Sequence, residues 1–326
     1  MDNGRRVLDL LGEAGVCLTL EELASRLALD VAAARALLDA ARSGGAGIVE
    51  IPGRGFVAGA VVDVLFEREI RRYLRTRELG RRIVFRHEVS STNSLAAALA
   101  ADGEPHGTAV VADRQTEGRG RMGRDWISPA GVNLYISLIL RPPAPPPAAG
   151  EIPILTAVAA ARALERQVPP VGASIKWPND LYRNGRKLGG ILCEMRSSGD
   201  GIQHVVAGIG INVNMAAMED GLAESATSMR IEGGADYLRP LLAADLLEEM
   251  EAAWESWIRA GSLEPFMRPW TERSMLDGRR VTLSTATGVV EGTAEGLAPS
   301  GALLLRLEDG TLREIYSGDA HIGTPH

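Results

Sequence analysis

Lysine is almost missing from this sequence. Of 35 lysine and arginine residues 33 are arginine, and the only lysines are Lys176 and Lys187. A GC-rich coding sequence spells most surface cations as arginine, so the two retained lysines become candidates for a chemical requirement. A compact ammonium with a tunable pKa is not interchangeable with a guanidinium fork. Cysteine is equally scarce: Cys17 and Cys193 lie far apart and form no CxxC pair. That fits a reducing compartment and argues against a zinc site. With a net charge of −7 there is no bulk positive field to coat nucleic acid, so any DNA contact must come from a local patch. The opening MDNGRRVLDLLGEAG lacks the uninterrupted apolar region of a signal peptide. The longest apolar stretches, 95–101 and 134–140, are too short to span a bilayer. The expectation is a cytoplasmic protein with no membrane partner.

What is present is an ordinary globular composition, 45% hydrophobic and 24% charged over 326 residues, with room for two or three domains. Residues 1–62 read as three helices and a hairpin. Val7, Leu8, Leu10 and Leu11 share one side of the first helix. Thr19 and Glu22 form a capping-box pattern for the second, and Asp30 caps the third. Two apolar stretches flank Pro52-Gly53-Arg54-Gly55 as in a β-hairpin. This is the order of a winged helix-turn-helix, whose third helix usually enters the major groove. Arg35, Arg42 and Arg54 are its candidate DNA contacts. The same segment holds six arginines against eight acids, a poor balance for several phosphate contacts.

Residues 63–82 suggest a basic linker helix with a solvated arginine face. From 83 to about 273, strand-like and helical runs alternate as in a mixed α/β domain. Leu242, Leu246, Met250, Trp254 and Trp257 recur at helical spacing and read as core. The run Pro142–Pro147 reads as a stiff surface loop. From 274 to 326 short strands and turns, including Asp309-Gly310, suggest an SH3-like β-barrel. The expected fold class is α+β and multidomain.

Four segments carry chemistry. Gly118–Arg124 (GRGRMGR) alternates glycines, which permit close backbone approach, with arginines, which bind phosphate or carboxylate. It is neither a Walker loop nor a dinucleotide fingerprint, and a disordered loop that touches RNA is the alternative. In Lys176–Asp180 (KWPND), followed by KLGGIL from Lys187, Pro178 fixes a turn that Asn179 and Asp180 suit, bracketed by the two lysines. A hairpin with chance charges is the bland reading. Ser90–Asn93 (SSTN) offers hydroxyl and amide groups to a polar ligand, although helix capping alone would explain it. Gly208–Asn214 (GIGINVN) is a strand end with glycines and amides, too degenerate to be informative alone.

Together SSTN, QTEGRGRMGR, GVNLYISL, KWPNDLY, KLGGILCE and GIGINVN resemble the biotin–protein ligase family in order and spacing, from about Ile83 to the C-terminus. The N-terminal helices match its bifunctional subclass, which also represses the biotin operon. The resemblance implies an ATP-dependent enzyme that makes biotinyl-5'-AMP and transfers biotin to a lysine of a biotin carboxyl carrier protein. It implies that Ser91, Thr92, Asn93 and Gln115 bond the ureido ring, with Gly118 and Gly208 in the biotin pocket. Arg119, Gly120 and Arg121 would cover the carboxylate and phosphate, and Lys187 would hold both. Arg124, Trp126, Lys176 and Asn212 would serve the nucleotide, and Asp180 the incoming lysine. Magnesium on the phosphates, operator DNA and a ligand-promoted homodimer are the other implied partners. A ligase without DNA binding and a lipoate-type acyltransferase are the alternatives.

Overall fold

A computed structural model describes residues 3–143, 145–198, 201–219 and 221–322. The chain forms two compact units, residues 1–75 with 238–245 and residues 76–237 with 246–326.

The first unit contains helices α1 (Asn3–Ala14), α2 (Leu20–Leu27) and α3 (Val31–Ser43), the hairpin β1 (Ile48–Ile51) and β2 (Gly55–Ala58), and a short α4 (Glu67–Arg71). The capping box of α2 is made as its sequence suggests. Glu22 N–H donates to Thr19 Oγ1 at 3.2 Å and Thr19 N–H to the Glu22 carboxylate at 2.7 Å. Asp30 accepts from Ala33 N–H at 2.7 Å. Val7, Leu11, Leu23, Leu27, Leu38 and Phe56 close the core, while Leu8 and Leu10 pack around it half-buried.

Two expectations are corrected here. Arg54 does not project from the hairpin toward DNA. It is 5% exposed, forms an ion pair with buried Asp245 and donates to Tyr73 O at 3.3 Å. Residues 63–82 do not form one helix, because α4 covers only Glu67–Arg71. Tyr73, Leu74 and Leu79 turn inward, and Gly80 takes a left-handed φ of 72°. The N–H groups of Arg77, Glu78 and Leu79 all donate to the Glu251 carboxylate at 2.7–2.8 Å. Three consecutive amides aimed at one anion cannot also donate to a helix ladder.

The second unit is built on strands β3 (Ile83–Val89), β4 (Ala109–Gln115), β5 (Leu134–Leu140), β6 (Ser174–Lys176), β7 (Asp180–Arg183), β8 (Arg186–Ser198) and β9 (Gly201–Ile211). They form one sheet in the order β3-β4-β5-β9-β8-β7-β6, antiparallel except for β3 beside β4. Its helices are α5 (Thr92–Ala101), α6 (Ile152–Glu165), α7 (Met229–Gly233), α8 (Arg239–Ala260, whose first turns belong to the other unit) and α9 (Glu264–Thr271). Ala96 and Ala100 of α5 pack on Val110, Ile139 and Val206 of the sheet. The α8 residues expected in the core are all buried. In the proline run, Pro146–Glu151 winds into a 3-10 turn ahead of α6.

The C-terminal segment is a five-stranded antiparallel sheet of β10 (Arg280–Thr285), β11 (Gly288–Leu297), β12 (Leu303–Arg306), β13 (Leu312–Ile315) and β14 (Asp319–Ile322). Its order is β13-β12-β11-β10-β14. Among the described residues no ladder joins β13 to β14, so the expected closed barrel is not seen. Asp309-Gly310 makes the anticipated turn, with Leu307 N–H donating to Thr311 O at 2.9 Å.

Candidate active site

A cavity of about 470 Å³ opens on one face of the large sheet. Strand alternation sets its floor, since residues two apart face the same side. A Cβ on Gly208 would lie 2.0 Å from Asn93 Oδ1, and one on Gly210 2.7 Å from Trp126 Nε1. These glycines are what lets the α5 end and the indole sit against the strands.

One end of the cavity is neutral and polar. Ser91, Thr92 and Asn93 are each only 4% exposed. Although Ser91 stands at the N-cap of α5, its side chain makes no capping hydrogen bond, so capping does not account for this motif. Thr92 donates to Gln115 Oε1 from both N–H (2.8 Å) and Oγ1 (3.0 Å), and Gln115 Nε2 donates to Ser128 Oγ at 3.0 Å. Ser137 Oγ lies 2.8 Å from Thr92 Oγ1 and 2.7 Å from Asn93 Oδ1. Asn93 Nδ2 donates to Leu192 O at 3.1 Å and to Glu194 Oε2 at 2.7 Å. Both amide hydrogens of Asn93 are thereby used within the protein, which makes Asn93 a holder of the wall.

The other end is charged, with Arg119, Arg121, Arg124 and Lys187 set among the carboxylates of Asp125, Asp180, Glu219 and Asp319. The GRGRMGR segment forms a tight loop, with Gly120 N–H donating to Arg124 O at 2.7 Å and Trp126 N–H to Gly118 O at 2.8 Å. At Gly118 a Cβ would meet Trp126 O at 2.3 Å. Met122 takes a left-handed φ of 56° at the tip. Arg121 donates to Asn179 Oδ1 at 3.1 Å and Gly318 O at 3.3 Å. Burial lowers its pKa, against the opposing pull of Asp180 and Asp319. Arg124 pairs with Asp319. Burial alone would raise the Asp319 pKa, but the hydrogen bond and charge of Arg124 more than offset it and leave the group lowered.

Lys187 Nζ lies 2.8 Å from Asp180 Oδ1 and 5.5 Å from the Trp126 ring centroid. The Trp126 indole N–H is buried with no hydrogen-bond partner. Lys176 sits apart from the cavity wall, its ammonium 5.5 Å from the Tyr182 ring centroid, with its pKa lowered by burial. Burial likewise pushes the Tyr182 hydroxyl up to about 12.

The fold brings most of the sequence-derived residues together. Ser91, Thr92, Asn93, Gln115, Arg119 and Gly120 line the cavity. So do Arg121, Arg124, Trp126, Asp180, Lys187, Gly208 and Asn212. Gly118 and Lys176 stand behind that wall. Sequence reasoning missed Ser128, Ser137, Glu194 and Asp319. Ser137 had a signal, a serine in a strand of otherwise aliphatic and aromatic residues; Asp319 had none.

A neutral hydrogen-bonding end joined to an end where four basic side chains converge among carboxylates suits a small molecule with a polar head and an anionic tail that exchanges for those carboxylates. Fold and site therefore define an enzyme that handles such a ligand. The sequence pattern of the Biotin/lipoate A/B protein ligase family matches residues 86–212, and that of the Biotin protein ligase C terminal domain matches residues 278–323. The chain is 35% identical over 288 residues to the Bifunctional ligase/repressor BirA of Bacillus spizizenii, covering 88% of this chain and 85% of that one. It is 36% identical over 219 residues to the Biotin--[acetyl-CoA-carboxylase] ligase of Paracoccus denitrificans, covering 66% and 90%. The solved biotin protein ligase from Aquifex aeolicus in complex with biotin and ATP superposes with a TM-score of 0.64 at 30% identity, covering 75% of this chain and 100% of that one. The chain belongs to the biotin/lipoate A/B protein ligase family.

Proposed function

We propose that this protein is an ATP-dependent biotin–protein ligase that forms biotinyl-5'-AMP and passes biotin to a lysine of a biotin carboxyl carrier protein, as in acetyl-CoA carboxylase. The observation that carries this reading is the two-ended cavity. Ser91, Thr92 and Gln115 offer donors and acceptors for the ureido head, on a wall held by Asn93 and Gly208. Arg119, Arg121 and Lys187 face the carboxylate end. Biotin and ATP both bring negative charge to the reacting centre, so these cations neutralise it and hold the groups in line. A biotin carboxylate oxygen bonds to the α-phosphorus and pyrophosphate leaves. The carrier's neutral lysine amine then attacks the mixed-anhydride carbonyl, AMP leaves, and Asp180 takes the amine proton.

Arg124, Trp126 and Asn212 serve the nucleotide, with Lys176 acting through its charge from behind the wall. Magnesium enters this reading on the phosphates. Asp180 and Asp319 offer oxygen to a hard cation, but both are engaged by Lys187 and Arg124. Among the described residues no three carboxylate, imidazole or thiol groups gather into a metal site.

The decisive assay is biotin-dependent exchange of pyrophosphate into ATP by the purified protein. Exchange supported by lipoate and not by biotin would replace this reading with the lipoate-type one.

A repressor role is the second part of the reading, favoured by the BirA-named relative and by three helices with a hairpin in the order of a winged helix-turn-helix. The five-stranded C-terminal sheet is read as an SH3-like module. The charges on α3 limit the repressor role. Arg42 Nη1 lies 3.1 Å from Glu50, and Arg35 lies 3.6 Å from Glu50 and 3.7 Å from Asp39. With Arg54 buried, one module binds phosphate weakly, so DNA binding needs a homodimer formed with biotin and ATP present and falls steeply with salt. A gel shift on the protein's own biotin-gene promoter tests this. No shift with both ligands at low salt would leave a ligase without repressor activity.

A further inference from the structure

Along β8, Gly190 and Leu192 line the cavity, and Glu194 lines a neighbouring pocket that shares Leu192, Arg119 and Arg121 with it, while the half-buried Cys193 lies near Thr156 of α6. The two oxygens of Glu194 have different partners. Oε2 accepts from Asn93 Nδ2 at 2.7 Å, and Asn93 is 4% exposed, so that contact is fixed in the wall. Oε1 lies 3.5 Å from Arg119 Nη2, across side chains that are 42% and 47% exposed. Arg119 also donates to Ser94 Oγ at 3.1 Å. Thus one carboxylate links the neutral end of the cavity to an arginine of the cationic loop.

We propose that Glu194 is a positioning residue that holds Arg119 through an exchangeable pair and competes for it with the ligand's carboxylate or phosphate. An exposed ion pair is weak, which is what an exchangeable partner requires. A ligand anion that takes both guanidinium N–H groups is the stronger acceptor. Glu194 therefore competes with the ligand for Arg119 while supporting the wall through Asn93. The proposal rests on the ligase reading, since it takes the ligand to be biotin.

These two roles give variants of opposite sign. Glu194→Gln keeps an acceptor for Asn93 but loses the charge that holds Arg119, so biotin binds about two- to five-fold more tightly. Glu194→Ala leaves a buried Asn93 N–H unpaired, so biotin binds about ten-fold more weakly. Binding of biotin and of biotinol, which has a hydroxyl where biotin has the carboxylate, is measured by calorimetry on the full chain. The Glu194→Gln gain is expected for biotin alone, and should vanish when Arg119 is also changed to Gln. A role in wall packing alone would move both ligands together. Equal effects of Glu194→Gln on biotin and biotinol, or no effect on either, overturn the proposal and leave the ligase reading standing. A wild-type protein that binds neither ligand overturns the ligase reading and the proposal with it.

Discussion

Gly208→Ala should disable the site while leaving the sheet intact. Gly208 lies on β9 between Ser137 of β5 and Leu192 of β8, and its new Cβ would sit 2.0 Å from Asn93 Oδ1, 2.8 Å from Cγ and 3.0 Å from Nδ2. Such an overlap cannot be accommodated in place, so the Asn93 amide must swing away. It then gives up its contacts to Ser137, Leu192 and Glu194. Overpacking and the lost buried hydrogen bonds together amount to about 2–5 kcal/mol. For a unit of this size that lowers Tm by roughly 5–15 °C. Because the displaced amide falls into the biotin end of the cavity, biotin-dependent pyrophosphate exchange should drop by about 10²-fold even well below Tm. Calorimetric melting and the exchange assay read the two effects separately. Gly150→Ala, whose Cβ would meet nothing nearer than Ser300 O at 4.0 Å, is the neutral control. Adding Asn93→Ala to Gly208→Ala should recover the part of the Tm loss that overpacking causes, but neither the part from the lost hydrogen bonds nor exchange. Wild-type melting and exchange in Gly208→Ala would refute the claim that this glycine is kept for the Asn93 amide.

Lys187→Arg should lower kcat/KM for adenylate formation by about 10²-fold. Its ammonium is 2.8 Å from Asp180 and 5.5 Å from the Trp126 ring centroid, a point-charge geometry that a planar fork does not reproduce; near-normal turnover would remove the argument from lysine scarcity. A fragment of residues 76–326 should form adenylate, because every cavity residue lies within it. One starting at Ile83 should melt lower because Glu251 loses three N–H partners and buried Leu79 is gone, and equal melting of the two fragments would contradict this. Stability should fall as pH drops from 7.5 to 5.5. Burial lowers the pKa of His106 below its ordinary 6.5, so the unfolded chain takes up the proton first and is favoured as pH falls through that value. Melting of His106→Gln across the same range should decline less; an unchanged slope would exclude His106 as the cause.

Much of this protein is written locally. Capping residues and apolar spacing fix α1, α2 and α3 from sequence because the interactions that start a helix span three or four residues. The strands β3, β4, β5 and β9 are legible from their apolar runs, and the chemistry-bearing segments from glycine, arginine and lysine in unusual company. Lys187 and Asp180 meet across the β7–β8 hairpin, a short-range event that their sequence separation already permits. What sequence could not supply depends on contacts between distant segments. Arg54 reads as an exposed hairpin cation until Asp245, 191 residues away, takes it into the interior. The basic run after residue 66 reads as a helix until the Glu251 carboxylate collects three of its amides. Asp319 carries no signal of its own, and it joins the site because β14 pairs with β10 and leaves that carboxylate beside Arg124. Glu194 looks like the polar end of a buried strand until strand register puts it between Asn93 and Arg119. A charge or a backbone donor chooses its partner by distance and burial, and only the folded chain sets both.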